Sequence, residues 1–270
     1  SRELSRRQGA RAAAPRSPGP PRASAPPEAA PMARIASSCC WSSWSRRGGE
    51  AAEVEIAQSR SASGAHSKTS EHTSILVCGH ATSGKSTAVG RLLFELGGLP
   101  QLELDELRKE AAAHGKPESK FAFHLDRQGA ERERGGSIVV TAKSFKTTSR
   151  TFTVIDAPGH PKFIKNWMRG ASQADIALIM VPADNIKNAI GQTREHIRFS
   201  YALGVTQAVI GITKMDAVGY SKKAYDEIVG EVTRMMQGVD GWKNGVPFLP
   251  MSGLLGDNLV NRSPNMPWWK

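Results

Sequence analysis

Ile75-Leu76-Val77-Cys78 runs directly into Gly79-His80-Ala81-Thr82-Ser83-Gly84-Lys85-Ser86-Thr87. An apolar tetrapeptide closing on glycine reads as a short buried strand, and residues 86–96 read as a helix. Between them lies the pattern G-x-x-x-x-G-K-[ST]. A glycine-rich loop in that position curls its backbone N–H groups around a phosphate, and the helix N-terminus adds its dipole. Lys85 would then bridge the β- and γ-phosphates, and the Ser86 hydroxyl would ligate Mg2+. A plain turn is the alternative; the strand before and the helix after weigh against it.

Outward from this loop the same texture continues. Residues 102–114 read as a second helix. Residues 138–145 and 151–155 read as a strand pair with a polar turn at 147–150. Short apolar runs at 176–181, 208–212 and 247–250 are buried-strand candidates, separated by helical stretches at 193–203 and 222–236. The pattern predicts an α/β fold of the P-loop NTPase kind, with a mostly parallel sheet flanked by helices. Ligands in such folds bind at the carboxyl ends of the strands.

Two further motifs follow strands. Asp156-Ala157-Pro158-Gly159-His160 puts a carboxylate at a strand end, where it would hold Mg2+, usually through water. The Gly159 N–H would meet a γ-phosphate, and His160 would orient the attacking water; alone, a histidine after glycine is a turn residue. Thr213-Lys214-Met215-Asp216 offers Asp216 to the N1–H and exocyclic amine of guanine, which adenine lacks, so adenine would leave the carboxylate unpaired. The Lys214 stem would cover the base. Ser252-Gly253-Leu254 would complete the site through a backbone N–H on guanine O6.

Composition constrains less. The 270 residues carry a net charge of +11. Residues 1–70 hold 11 Lys/Arg against 5 Asp/Glu. Such a surface attracts polyanions, or is simply a solvated basic tail on a mildly basic domain. Residues 1–70 are rich in Ala, Ser, Arg, Pro and Gly without apolar periodicity, and a disordered low-complexity tail is expected there. The first methionine is Met32; residues 1–31 read as upstream sequence or a leader, and organellar import through this tail is the alternative to a cytoplasmic location. No apolar run approaches the roughly 20 residues needed to span a bilayer. Cys39, Cys40 and Cys78 have spacing for neither a disulfide framework nor a zinc cluster. Neither a membrane nor a DNA partner is expected.

Taken with Glu131-Arg132-Glu133-Arg134-Gly135, these motifs resemble the GTPase domain of the elongation factor 1-alpha group of translational GTPases. Among its branches, the elongation-factor-like proteins of some protists are most similar, through Phe94-Glu95-Leu96-Gly97-Gly98, Asp126-Arg127-Gln128, Met180-Val181-Pro182-Ala183-Asp184, Gly256-Asp257-Asn258-Leu259 and Asn265-Met266-Pro267-Trp268-Trp269-Lys270. The resemblance covers residues 74–270. It implies GTP/GDP and Mg2+ as cofactors, aminoacyl-tRNA and the ribosome as partners, a guanine-nucleotide exchange factor, and two β-barrel domains that would begin where this chain ends. It also assigns Ser137 to the metal, where the family has threonine. Thr82 stands in place of aspartate and Thr213 in place of asparagine, and residues 185–191 read as a shortened surface loop.

The reading is therefore a GTPase domain at 71–270, with Ser86, Ser137 and Asp156 on the metal and Lys85, Gly159 and His160 at the reacting phosphate. A termination- or rescue-factor GTPase is the near alternative. A nucleotide- or tRNA-binding module that no longer hydrolyses GTP is the distant one. Trp268 and Trp269 are expected in tail or interdomain contacts, and His114, His124 and His196 as surface or packing residues.

Overall fold

Each apolar run found in the sequence becomes a strand, and the runs assemble into one sheet. The computed structural model describes residues 72–147, 150–237, 242 and 245–270. The expected tail at 1–70, with Cys39, Cys40, Trp41, Trp44 and His66, lies outside the described residues, as does the middle of the turn at 147–150.

The strands are β1 (His72–Gly79), β2 (Thr141–Lys146), β3 (Thr151–Asp156), β4 (Ile176–Pro182), β5 (Gln207–Thr213) and β6 (Phe248–Pro250). Their order is β2-β3-β1-β4-β5-β6. Only β2 is antiparallel, paired with β3 in a hairpin register from Thr141–Asp156 to Lys146–Thr151. β1 lies between β3 and β4, so chain order reverses across it, and the ends of β1, β3 and β4 open a crevice there. All seven residues of β4 are buried, as expected for a strand covered on both faces.

The helices are α1 (Lys85–Glu95), α2 (Gln101–Ala113), α3 (Gly129–Arg134), α4 (Ile164–Ala171), α5 (Ile186–Ala202) and α6 (Lys222–Met236). Strand side chains alternate between faces, which splits the core in two. Val77, Val154 and Leu178 pack with Val89, Leu92 and Leu93 of α1. Leu76, Ile155 and Ile179 pack with Trp167 of α4, Ile197 of α5 and Ile228 and Val232 of α6. A third, smaller core joins Leu104, Leu107 and Ala111 of α2 to Phe121 and Phe123. Among the described residues no helix is long and apolar enough to cross a membrane.

The structure corrects the sequence reading in several places. β2 begins three residues later than expected, because the Glu131 carboxylate takes the N–H groups of Ile138 and Val139 at 2.8 and 3.1 Å. Residues 186–191, read as a surface loop, are the opening turns of α5, held down by buried Ala189 and part-buried Ile186. Glu131-Arg132-Glu133-Arg134, whose charges would by themselves suit a solvated face, lies in α3: Gln128 and Glu131 form a capping box, leaving Glu131 only 3% exposed. Trp268 and Trp269 are anchored within the domain, their indoles donating to the carbonyls of Tyr220 at 3.2 Å and Phe248 at 3.1 Å.

β6 is the short outer strand. The Phe248 carbonyl accepts from Tyr225 Oη at 3.2 Å as well as from Trp269, and the Pro250 carbonyl from Asn258 Nδ2 at 2.9 Å.

Candidate functional site

The loop 79–84 closes β1 onto α1. Gly79 and Gly84 adopt φ of +136° and +75°, a region open to glycine at little cost. At Gly79 a Cβ would also lie 2.2 Å from the Met180 carbonyl oxygen. The His80 carbonyl is the hub of the loop. It accepts from Ser83 N at 3.1 Å, Ser83 Oγ at 2.8 Å and Lys85 Nζ at 2.8 Å. Lys85 also donates to the Gly79 carbonyl at 3.2 Å. Burial lowers the Lys85 pKa, and nearby Asp156 opposes that shift. Thr82, exposed at the tip beside Ala81, bonds His80 Nδ1 through its hydroxyl at 3.0 Å. Thr87 lies half-buried in the first turn of α1.

Beside this loop four oxygen-bearing side chains converge. Ser86 Oγ donates to Asp156 Oδ2 at 2.6 Å, and Ser137 Oγ donates to Asp126 Oδ1 at 2.6 Å. The two hydroxyl oxygens are 3.0 Å apart. Each hydroxyl has one proton, already given to a carboxylate, so these oxygens face each other with lone pairs. Asp156 Oδ1 is buried without a hydrogen-bond partner. Two carboxylates, one of them with an orphaned oxygen, and two hydroxyls form a hard-oxygen set that fits Mg2+. Without a cation the protons balance only if a carboxyl is protonated. Burial pushes in that direction, raising Asp156 to about 7 and Asp126 to about 6.

Gly159 lies against the phosphate-binding loop. A Cβ there would sit 2.3 Å from Lys85 Nζ, 2.6 Å from the Gly79 carbonyl and 2.8 Å from Ala81 N. The Gly159 carbonyl accepts from Gln192 of α5. His160 is partly exposed, and its Nδ1 accepts from Lys162 N at 3.2 Å. Partial desolvation, with Arg134 and Lys162 nearby, lowers its pKa and favours the neutral ring.

At the other end of the crevice, the Thr213 hydroxyl is buried and donates to the Ser83 carbonyl at 2.8 Å, tying the β5 loop to the phosphate loop. Lys214 has φ of +59° and pairs with Asp184 Oδ2 at 2.9 Å. Asp216 is half-buried on the adjoining turn. Ser252 is fully buried, and its Oγ accepts from Leu255 N at 3.2 Å. Gly253 packs on α1, where a Cβ would meet Ala88 Cα at 2.9 Å. Leu254 is exposed.

The structure thus gathers Ser86, Ser137 and Asp156 into one cluster beside Lys85. It joins the segment 213–216 to the phosphate loop through Thr213, and to the chain leading into 252–254 through Met215 N on the Met251 carbonyl. Sequence reasoning gave no site role to Gln192 or His196, nor to Asp126 and Asp184, which it read only as part of the family resemblance. His196 Nδ1 accepts from Gly79 N at 3.1 Å, and its ring stacks on Trp167 with centroids 4.8 Å apart at 4°. Burial lowers its pKa to about 3. Its place could have been read from Thr193, His196, Ile197 and Ser200, a buried stripe at helical spacing. Asp126 had no such signal, being brought to the site by irregular chain.

Comparison with known proteins agrees with this geometry. The sequence profile of the elongation factor Tu GTP binding domain matches residues 70–262. Elongation factor 1-alpha of Entamoeba histolytica is 44% identical over 210 residues, 75% of this chain and 47% of the relative. That of Picrophilus torridus is 45% identical over 201 residues, 74% of this chain and 47% of the relative. The chain therefore spans about half the length of these relatives. Among solved structures, the Saccharomyces cerevisiae Ski7 GTPase-like domain bound to GTP superposes with a TM-score of 0.62 at 25% identity, covering 74% of this chain and 47% of that one. Sup35 complexed with GDP gives 0.53 at 26%, covering 75% and 42%. With the loop, the sheet order and the sequence match in agreement, the chain belongs to the elongation factor Tu GTP-binding domain family, in company with the elongation factors 1-alpha.

Proposed function

We propose that residues 71–270 bind GTP and GDP with Mg2+ and hydrolyse GTP as part of a cytoplasmic translation elongation factor that delivers aminoacyl-tRNA to the ribosome. The observation that carries the reading is the oxygen cluster of Ser86, Ser137, Asp126 and Asp156 next to Lys85, with Gly159 against the loop. The 44–45% identity to elongation factors 1-alpha supports elongation over termination or rescue. Ribosome stimulation and an exchange factor belong to the same proposal.

Ser86, Ser137 and Asp156, joined by Asp126, would hold the metal, which when bound neutralises charge on the β- and γ-phosphates. Lys85 would exchange its carbonyl partners for phosphate oxygens. Loop N–H groups from residues 79–87 would cradle the phosphates. The Gly159 N–H would register the γ-phosphate. Because His160 Nδ1 accepts a hydrogen bond, the ring carries its proton on Nε2. It would therefore orient water by donating to its oxygen. Thr213, Lys214 and Asp216 would hold the base, and the loop 252–254 its O6.

The test is Mg2+-dependent binding and turnover by the full chain, with and without ribosomes, beside His160→Ala. The expected result is guanine binding with ATP excluded, and turnover lost in His160→Ala while binding is kept. A folded wild type that binds no guanine nucleotide would overturn the proposal. Binding without turnover, even with ribosomes, would reduce the chain to a binding module.

A further inference from the structure

Helix α1 begins at the phosphate end of the crevice and, two turns later, meets the loop 252–257. The two elements touch at three successive points. Gly253 sits on Ala88, close enough that a Cβ would lie 3.0 Å from the Ala88 Cβ. Arg91 Nη1 donates to the Leu254 carbonyl at 3.2 Å. Gly256, at φ of +91°, turns the chain where a Cβ would lie 2.3 Å from Glu95 Oε1 and 2.8 Å from Arg91 Nη2. Arg91 Nε is itself held by Glu95 Oε1 at 2.7 Å, and both side chains are mostly covered, at 23% and 21% exposed. Inside the loop, Ser252 fixes the remaining peptides: its Oγ accepts from Leu255 N and its carbonyl from Gly256 N at 2.9 Å.

We infer that Arg91, braced by Glu95, is a positioning residue for guanine specificity. It locks the loop 252–256 to α1 so that a loop N–H stands at guanine O6. The inference deepens the guanine-binding reading and rests on it. α1 acts as a spacer, with Lys85 and Arg91 about 9 Å apart along its axis, so one rigid element sets both the phosphate end and the O6 end. Of the contacts named here, Arg91 alone carries a side-chain hydrogen bond from α1 to the loop backbone. The N1–H and 2-amine of guanine are read separately by Asp216, whose loop is tied to the phosphate end through Thr213 and Ser83. Loss of Arg91 therefore strikes one half of base recognition.

Nucleotide analogues separate the two halves. Inosine diphosphate keeps O6 and N1–H and lacks the 2-amine; 2-aminopurine riboside diphosphate keeps the amine but lacks O6 and the N1 proton. Its Asp216 penalty is thus common to wild type and variant and cancels when their ratios are compared. Dissociation constants for both, and for GDP and ADP, are measured on the full chain as wild type, Arg91→Met and Arg91→Lys. In Arg91→Met the preference for GDP over the 2-aminopurine nucleotide should fall about tenfold, the worth of one well-placed hydrogen bond. The preference for GDP over inosine diphosphate should hold within about twofold. Arg91→Lys keeps the charge beside Glu95 without the fork that reaches both partners, and should shift the first ratio in the same direction. It carries the test if Arg91→Met does not fold. Unchanged ratios in a folded variant, or equal loss in both, would overturn the inference. A wild type that does not prefer GDP to ADP would overturn the guanine reading and this inference with it.

Discussion

Lowering the pH from 7 to 5 should weaken the fold through His196, and the size of the effect follows from its surroundings. The ring is 1% exposed, accepts from the Gly79 N–H and lies near Lys85 and His80. Protonation would place a cation in that setting and remove the acceptor. The folded pKa is about 3, against about 6.5 in the unfolded chain. A folded value below the unfolded one means that the unfolded chain binds the extra proton. The contribution is thus fully present above pH 6.5 and lost as pH falls toward 3. Between pH 7 and pH 5 the loss is about 2 kcal/mol. Asp126 and Asp156 act in the opposite direction, since their folded pKa values are raised and their protonation favours the fold as pH falls. Wild type alone would mix the two effects, so the measured quantity is the stability gap between wild type and His196→Gln in urea at both pH values. The gap should shrink by about 2 kcal/mol at pH 5, or roughly 4–8 °C in melting temperature. A gap unchanged to within about 0.5 kcal/mol would refute the assignment of a buried neutral imidazole.

Other residues give sharper local outcomes. Gly159→Ala should lower GTP turnover about 100-fold, because the new methyl must displace Lys85 or the loop from working geometry; single-turnover kinetics at saturating nucleotide would detect it. Thr213→Val keeps the shape and removes the donor to the Ser83 carbonyl. GDP and GTP affinities should fall alike, by about tenfold in equilibrium titration, since an acceptor is left buried and unpaired. Trp167→Ala should cost about 3–5 kcal/mol in urea unfolding. Losing less than about 1 kcal/mol would mean that the Trp167–His196 stack is not a packed core element.

The fold was largely legible because its signals are local. Four of the six strands were found to within a residue, since an apolar run bounded by glycine or a turn says strand without reference to the rest of the chain. β1 starts three residues before its apolar run because polar His72, Thr73 and Ser74 pair with β3. β2 failed at its start because a carboxylate from α3 claims the N–H groups of Ile138 and Val139, a contact that depends on tertiary placement. The opening turns of α5 were missed because Gly191 and polar neighbours hide a stripe anchored by Ala189. At the site, residues in contiguous motifs were readable. Ser137 required the family resemblance. The contacts of Asp126 with Ser137 and of Gln192 with Gly159 became visible only in three dimensions, since nothing in their sequence spacing ties them to Ser86 or Gly159.

The outer strand β6 settles how far the sheet can extend. Residues alternate along a parallel strand. Ile210 N bonds the Pro247 carbonyl and Met251 N bonds the Ile212 carbonyl, so Phe248 and Pro250 turn their polar groups away from β5. Tyr225 and Trp269 take one of those carbonyls and Asn258 takes the other, while Pro250 has no N–H to give. An extended segment from another molecule would find almost no main-chain partner along this margin. Edge-to-edge polymerisation from this side is blocked by side chains drawn from α6 and from the segment that follows the strand itself.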